Sequence, residues 1–379
     1  MNIDLNLKDP VWAENALDTV RDIAQQHRDE IAEGHRLGRF PAAAFREMGR
    51  RGLLGVVTPT EYGGYGGDAP EYCLTTEAMA RHDLVSSQIQ IQGQRWLVDW
   101  GTDAQKRTYL PGLVDGSLVF SESISERGAA SSLKAMKATG RRDGGDWILN
   151  AEKIHINLGC ESDITLVYAM AEEGLTAFLV ETNLPGIRRE HSDPLGGRLL
   201  PTADMYFENV RIPGSAVLGA PGEGLATFLS TFNVSRLGNA SELIGAAQRA
   251  LADGVAYARN RHVGSNVVTD FQGIQWLMAD SYALLYTASL ARDRAANLVA
   301  AGEPHAFEAS LAKKVAIEAA EKVINDAFSL VGGHGLYHTQ AFGQILFDIK
   351  TLRVGGGSLE VLRNHIAQQL LKSPDVRGL

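Results

Sequence analysis

The sequence has few cysteines, no excess of positive charge and no long apolar run, and each absence excludes a class of protein. Its two cysteines, Cys73 and Cys160, lie far apart, so neither a disulfide framework nor a cysteine-based metal site is expected. The net charge of -9 argues against nucleic acid as a partner, because phosphate binding needs a basic face. No apolar stretch is long enough to span a bilayer, so no membrane partner is expected. With no leader-like pattern in residues 1–6, the cytoplasm is the expected location.

The order of helical and strand-rich regions separates this chain from the common nucleotide-binding folds. Residues 1–116 and 218–379 follow a helical rhythm of apolar residues, whereas residues 117–217 contain short runs typical of strands. We therefore predict an N-terminal helical domain, a β-rich middle domain and a C-terminal helical domain with those boundaries. A parallel α/β sheet would alternate strands with helices, and no Gly-x-Gly-x-x-Gly segment joins a strand to a helix.

Within these regions the pattern predicts particular elements. A helix is predicted over 11–35, and a second begins at Phe40-Pro41, where proline suits an early helical position. The runs 164–170 and 175–180 predict two strands joined by a short turn. Residues 268–302 predict a long helix, with apolar residues at helical spacing.

Eight short segments, spread over nearly the whole chain, carry recognisable motifs. They are VTPTEYGGYG (57–66), GTDAQKRTYLP (101–111), SERGAASS (125–132), NAEKIHIN (150–157), NVRIP (209–213), GAPGEG (219–224), the YARNR and FQ pair (257–272) and LVGGHG (330–335). Each segment alone is weak evidence, but together and in this order they resemble the acyl-CoA dehydrogenase family. The resemblance implies an N-terminal helical domain, a β-barrel-like middle domain, a C-terminal four-helix bundle and FAD as cofactor.

The resemblance also implies site residues. A hydroxyl and backbone N–H groups suit the flavin pyrophosphate at Ser131, and the resemblance implies that the Arg261 guanidinium reaches the pyrophosphate of a neighbouring subunit's FAD. The positions implied to contact FAD are Ser125, Ser131, His155, Asn157, Arg261, Gln272, Gly332, Gly333 and Ser358. The positions implied to contact the substrate are Asn233, Arg236 and Gly356.

The catalytic base of the family is absent. Its glutamate position is occupied by Gly356, and the alternative position used by a minority of the family is Ser235. A serine hydroxyl does not remove an α-proton without a partner base. Glu360, one helical turn after Gly356, and His155 are the candidates for a displaced base. Gly356→Glu is expected to raise desaturase activity if the cavity is otherwise intact.

Several functions therefore stay open. The first is a flavoprotein that desaturates an acyl thioester, carried on CoA or on a carrier protein, with a displaced base and an unknown electron acceptor. The second is a non-catalytic subunit that completes the FAD site of a Glu-bearing homologue in a hetero-oligomer. A flavin-dependent monooxygenase and an FAD-free relative are the others. A homo-oligomer, dimer or tetramer, is the expected assembly.

Overall fold

The computed structural model describes residues 4–129 and 133–372 of the chain. Its N-terminal part is helical, as predicted, and side-chain caps define several helix starts. Asp9 accepts a hydrogen bond from the Val11 amide ahead of a proline at the first helical position, and Asp68 and Thr102 form capping boxes. The helices are α1 (Pro10–Gln26), α2 (Arg28–Leu37), α3 (Ala42–Arg50), α4 (Ala69–Arg81), α5 (Gln88–Trp100) and α6 (Asp103–Asp115).

The helix predicted over 11–35 is divided in two at His27. The His27 backbone leaves the helical region, with φ -104° and ψ 17°. Apolar periodicity does not reveal this break, because Val20 and Ile23 before it and Ile31 after it are buried in the same core. The start near Pro41 is confirmed, since α3 follows directly.

The middle part is a twisted sheet in which the two predicted strands are confirmed. The strand order is β6-β7-β3-β2-β4-β5-β8, and β1 pairs in parallel with β4. The strands are β1 (Phe120–Ser123), β2 (Thr139–Asp143), β3 (Asp146–Asn157), β4 (Ile164–Ala171), β5 (Gly174–Glu181), β6 (Ile187–His191), β7 (Thr202–Pro213) and β8 (Val217–Leu218).

The C-terminal part is built around a very long helix. Two-residue strands, β9 and β10, form a small ribbon between its end and the next helix. The elements are α7 (Gly224–Asn260), β9 (His262–Val263), β10 (Asn266–Val267), α8 (Gln272–Ala300), α9 (Ala306–Val331), α10 (Phe342–Val354) and α11 (Leu359–Lys372). Among the described residues, no helix is long and apolar enough to cross a membrane.

Helix α7 joins the three parts. A Cβ at Gly245 would lie 2.3 Å from the Glu77 carbonyl oxygen, so the helix passes very close to α4. The side chain of the same Glu77 accepts a hydrogen bond from the buried Arg292 of α8 at 2.8 Å. At the other end Trp96 of α5 donates its indole N–H to the Thr227 carbonyl at 3.0 Å. At the start of α7, a Cβ at Gly224 would lie 2.7 Å from the Leu175 carbonyl oxygen of β5, so the same helix also contacts the sheet.

Candidate active site

The loop between α10 and α11 contains Gly356, where the resemblance predicts the position of the family's glutamate. Gly356 and Gly357 have φ of +65° and +93°, which residues with a side chain rarely adopt. A Cβ at Gly356 would lie 2.4 Å from the Asn239 amide nitrogen and 3.3 Å from Lys313 Nζ. The expectation that Gly356→Glu alone restores a base assumed an open cavity, and Asn239 of α7 occupies that space.

Lys313 of α9 holds this glycine loop and was missed by the sequence analysis. Its Nζ donates to the Gly355 carbonyl and, at 3.0 Å, to the Gly357 carbonyl. Burial and, to a smaller extent, the neighbouring Arg236 together lower the pKa of Lys313 to about 7. The one sequence signal was a lysine among the buried alanines of α9, namely Ala309, Ala312, Ala316 and Ala320.

Arg236 and Asn233, both expected to contact the substrate, lie together beside this loop. Arg236 Nη1 donates to Asn233 Oδ1 at 3.0 Å and to Ser310 Oγ at 2.9 Å. The guanidinium carbon lies 4.5 Å from the centre of the Phe232 ring. Burial lowers the pKa of Arg236 to about 10, and its Nε has no hydrogen-bond partner. The structure thus brings the predicted substrate residues to the predicted base position.

We call the Gly356 loop and the side chains packed on it (Arg236, Asn239 and Lys313) the Gly356 corner. The other predicted residues of this corner contact only their immediate neighbours. The Ser235 carbonyl accepts a hydrogen bond from Asn239 Nδ2 at 3.0 Å, and Ser235 itself is buried. The Ser358 hydroxyl accepts from the Val361 amide at 3.4 Å at the start of α11. Glu360 has an exposed carboxylate that pairs with Arg353 at 3.1 Å. This exposure disfavours Glu360 as the displaced base.

Ser125, His155 and Asn157 lie around a bulge in β3. The Ile154 amide donates to the Ser125 carbonyl at 2.9 Å, so the chain after β1 runs beside His155. His155 has φ +58°, and the pairing with β7 shifts register between Lys153 and Ile156. Such bulges re-aim side chains. His155 and Asn157 are exposed and Ser125 is half-buried, so a hydroxyl, an imidazole and an amide group are accessible beside this bulge. Ser131 lies outside the described residues.

Glu122 of β1 is a second residue that the sequence analysis missed. It pairs with Leu166 in register, on the side of the sheet where Tyr168 packs edge-on to Phe228 of α7 at 5.9 Å. Its Oε1 is buried without a hydrogen-bond partner, and burial raises the pKa of Glu122 to about 8. The Tyr168 hydroxyl is also buried without a partner. The available signal was an acid at an alternate strand position between Phe120 and Ile124.

The other predicted cofactor residues lie at the far end of α7. Arg261 follows its last turn, and its carbonyl accepts from the Val268 amide at 2.9 Å. Gln272 begins α8, and Gly332 and Gly333 follow α9; all four residues are exposed. At 1.5 Å per residue, about 37 Å of helix separates Arg236 from Arg261. Within one chain, the structure does not bring this far-end group together with Ser125, His155 and Asn157.

Three family models match successive parts of the chain. The acyl-CoA dehydrogenase N-terminal domain matches residues 13–117, the middle domain residues 121–210, and the C-terminal domain residues 222–371. These matches follow the helical, strand-rich and helical regions in order.

Individual relatives extend along nearly the whole chain. The 3-(aryl)acrylate reductase of Clostridium sporogenes is 32% identical over 93% of this chain and 96% of its own. The short-chain specific acyl-CoA dehydrogenase of Bos taurus mitochondria is 32% identical over 94% of this chain and 89% of its own. A glutaryl-CoA dehydrogenase from Mycobacterium smegmatis, solved in complex with FADH2, superimposes with a TM-score of 0.91 at 25% identity, covering 96% of this chain and 95% of its own.

Proposed function

Because this chain belongs to the acyl-CoA dehydrogenase family, a family of FAD-dependent flavoproteins, we propose that it oxidises or reduces the Cα–Cβ bond of an acyl thioester through a displaced acid–base group. Relatives named for both directions, a short-chain acyl-CoA dehydrogenase and a 3-(aryl)acrylate reductase, support this class of reaction. The displaced group that we propose is the Glu122 carboxyl.

Ser125, His155 and Asn157 are the residues of this chain that would hold the flavin ring. They combine a hydroxyl, an imidazole and a carboxamide, which suits a ring system that both donates and accepts hydrogen bonds. Bound there, FAD supplies a two-electron acceptor or donor for hydride transfer. Arg261, Gln272, Gly332 and Gly333 would hold the phosphate and adenosine parts of a cofactor bound mainly to another copy, because they lie at the far end of α7.

One observation carries the assignment of Glu122. Its buried carboxyl has an oxygen without a partner, three residues before Ser125, on the side of the sheet that faces α7. Aromatic contacts continue from this point: the Tyr168 ring meets Phe228, and Phe228 lies 4.9 Å from Phe232 beside Gly357. A buried polar group left unpaired is costly, and such groups cluster at functional sites.

The raised pKa of Glu122 fits either direction of the reaction. As a neutral carboxylic acid below about pH 8, Glu122 donates a proton to the substrate carbon during reduction. As a carboxylate above that pH, it removes the α-proton during oxidation. Arg236 and Asn233 orient the acyl group, and Phe228 and Phe232 exclude water from it.

The visible spectrum and anaerobic titration of the purified protein test this proposal. We expect a yellow protein whose flavin band bleaches on addition of butyryl-CoA without oxygen, or whose reduced form reoxidises with an α,β-unsaturated acyl-CoA. A protein that binds no FAD on titration contradicts the proposal. A yellow protein inert to saturated and unsaturated thioesters alike also contradicts it.

A second function is favoured by a separate observation. The Gly356 corner is filled by Asn239, while Arg261 at the far end stays exposed. This division suits a subunit that completes the FAD site of a catalytic homologue. Bleaching by acyl-CoA only after mixing with a Glu-bearing homologue, together with a hetero-oligomer in light scattering, supports this alternative.

We further propose that the chain self-associates when no such homologue is present, and that the protein is located in the cytoplasm.

A further inference from the structure

Two buried basic side chains lie near Gly356, Arg236 as a cation and Lys313 as a cation below about pH 7. The Lys313 side chain is fully buried, and Arg236 is 5% exposed. No carboxylate of the described residues forms an ion pair with either one. Buried charges are normally paired, because an isolated one is very costly to desolvate. Two such basic groups beside one glycine loop therefore indicate a site for a negative charge that the described residues do not supply.

The polar neighbours accept hydrogen bonds from only some of the donor groups of these two side chains. Arg236 Nη1 is saturated by Asn233 and Ser310, but Nε has no partner. Lys313 Nζ donates to two loop carbonyls, which leaves one of its three N–H groups. The nearby His365 Nδ1 contacts Ser310 at 2.8 Å, and its pKa is lowered by burial and by Arg236. The local field is therefore positive, with donors still free.

The site is reachable from outside. Phe232, Asn233, Gly356 and Gly357 are half-buried rather than buried. A Cβ at Gly357 would lie 3.9 Å from Arg236 Nη2, so this guanidinium nitrogen faces the glycine loop. Asn239 occupies the Gly356 side of this loop, so a ligand would approach Arg236 Nη2 from the Gly357 side, where a Cβ meets no atom closer than 3.4 Å.

We propose that Arg236 and Lys313 bind a carboxylate carried by the ligand, and that the substrate is the monothioester of a short dicarboxylic acid. A guanidinium offers two parallel donors to a carboxylate, and the adjacent ammonium offers a third. The thioester part of this inference rests on the proposed function; the anion site rests on the two basic side chains alone.

Two thioesters of equal carbon number test the inference. Succinyl-CoA ends in a carboxylate where butyryl-CoA ends in a methyl group, and their affinities for the FAD-loaded protein are measured by calorimetry. We expect succinyl-CoA to bind at least about tenfold more tightly, the effect of one charge-assisted hydrogen bond. Arg236→Gln abolishes the preference and Arg236→Lys keeps part of it. Arg259→Gln, an exposed arginine on the same helix, leaves it unchanged.

The outcomes separate the two proposals. Equal affinities in the wild type, or a preference that survives Arg236→Gln, overturn the carboxylate site. If neither thioester binds, free succinate is used as the probe in a thermal-shift assay of the wild type and Arg236→Gln. Stabilisation of the wild type alone keeps the anion site while the proposed thioester function fails. No stabilisation of either protein overturns both.

Discussion

At the residue scale, the predicted position of the family's glutamate is surrounded by groups that come from elsewhere in the chain. Asn239 of α7 and Lys313 of α9 fill the space beside Gly356. Family motifs identified Arg236, which lies beside Asn233 as expected. No motif identified Lys313 or Glu122, because burial and distant neighbours define their environments.

Glu122→Gln is expected to lower turnover by about 100-fold or more, the usual loss when a general acid–base group is removed. The wild-type oxidation rate is expected to rise with pH through about 8, because the carboxylate is the proton acceptor and the pKa of Glu122 is raised to about 8 by burial. The reduction rate falls over the same range. Steady-state kinetics between pH 6 and 10 measure both effects.

The control for that variant is Glu161→Gln. Glu161 also has a buried oxygen without a partner, but it lies beside His191 at 3.6 Å, at the edge of the sheet. Its replacement is expected to leave turnover and the pH profile unchanged. A Glu122→Gln enzyme that retains FAD and full activity would exclude Glu122 as the proton-transfer group.

Gly356→Glu is expected to destabilise the protein by about 1–3 kcal/mol, since its Cβ overlaps the Asn239 amide and its φ is positive. Asn239→Ala in the same chain removes the overlap and brings the new carboxylate beside Lys313. A double-mutant cycle in urea is therefore expected to show a favourable coupling of at least about 1 kcal/mol. Gly355→Glu is the matched control, because the nearest atom to its Cβ is 3.5 Å away. Purely additive effects would contradict this account of the corner.

At the element scale, the alternation and helical periodicity of apolar residues predicted the elements that have one solvent-exposed face and one buried face. Strands β4 and β5 agree with the predicted runs within a residue or two. The break at His27 was not predictable, because the apolar stripe continues across it. The bulge at His155 was not predictable either, since a positive φ at a histidine leaves no mark on the pattern of neighbouring residues. The predicted boundaries 116/117 and 217/218 stay predictions.

Gly245→Ala is expected to destabilise the protein by about 1–3 kcal/mol, although alanine is the better helix former. The added methyl group would lie 2.3 Å from the Glu77 carbonyl and force α7 away from α4. Gly273→Ala, near the start of α8 with no atom within 4 Å of the new Cβ, is expected to be neutral or slightly stabilising. Equal effects of the two substitutions in chemical denaturation would show that the α4–α7 contact is not tight.

At the scale of the whole molecule, the predicted cofactor residues form two groups at opposite ends of α7. The motifs led us to predict which residues contact the cofactor, and the resemblance implied that Arg261 reaches the FAD of a neighbouring subunit. The distance between the two groups becomes visible only when α7 is one uninterrupted helix. It supports an assembly in which two copies contribute to each site.

Self-association is expected through α8, where Trp276, Tyr282 and Tyr286 are 61%, 53% and 41% exposed in the single chain. Large exposed apolar side chains on one helix are typical of an interface. Tyr282→Glu with Tyr286→Glu is expected to shift the protein to smaller species and weaken FAD retention, as measured by light scattering and the bound flavin fraction. Val11→Glu, equally exposed on α1, should change neither. A wild-type monomer at micromolar concentration would contradict this expectation.

The continuity of α7 also sets how the chain tolerates insertions and deletions. Each residue added between Arg236 and Arg261 turns one end of the helix by about 100° relative to the other and moves it by 1.5 Å. One extra residue would therefore misdirect Arg261 without touching the corner around Arg236. In an assembly of variant and wild-type copies, such a chain would retain the arrangement around its own Arg236 but would impair the cofactor site of the neighbouring copy. In the proposed assembly, the stretch between the two arginines would be a spacer of fixed length, and a change in its length would impair the cofactor site of the adjoining copy.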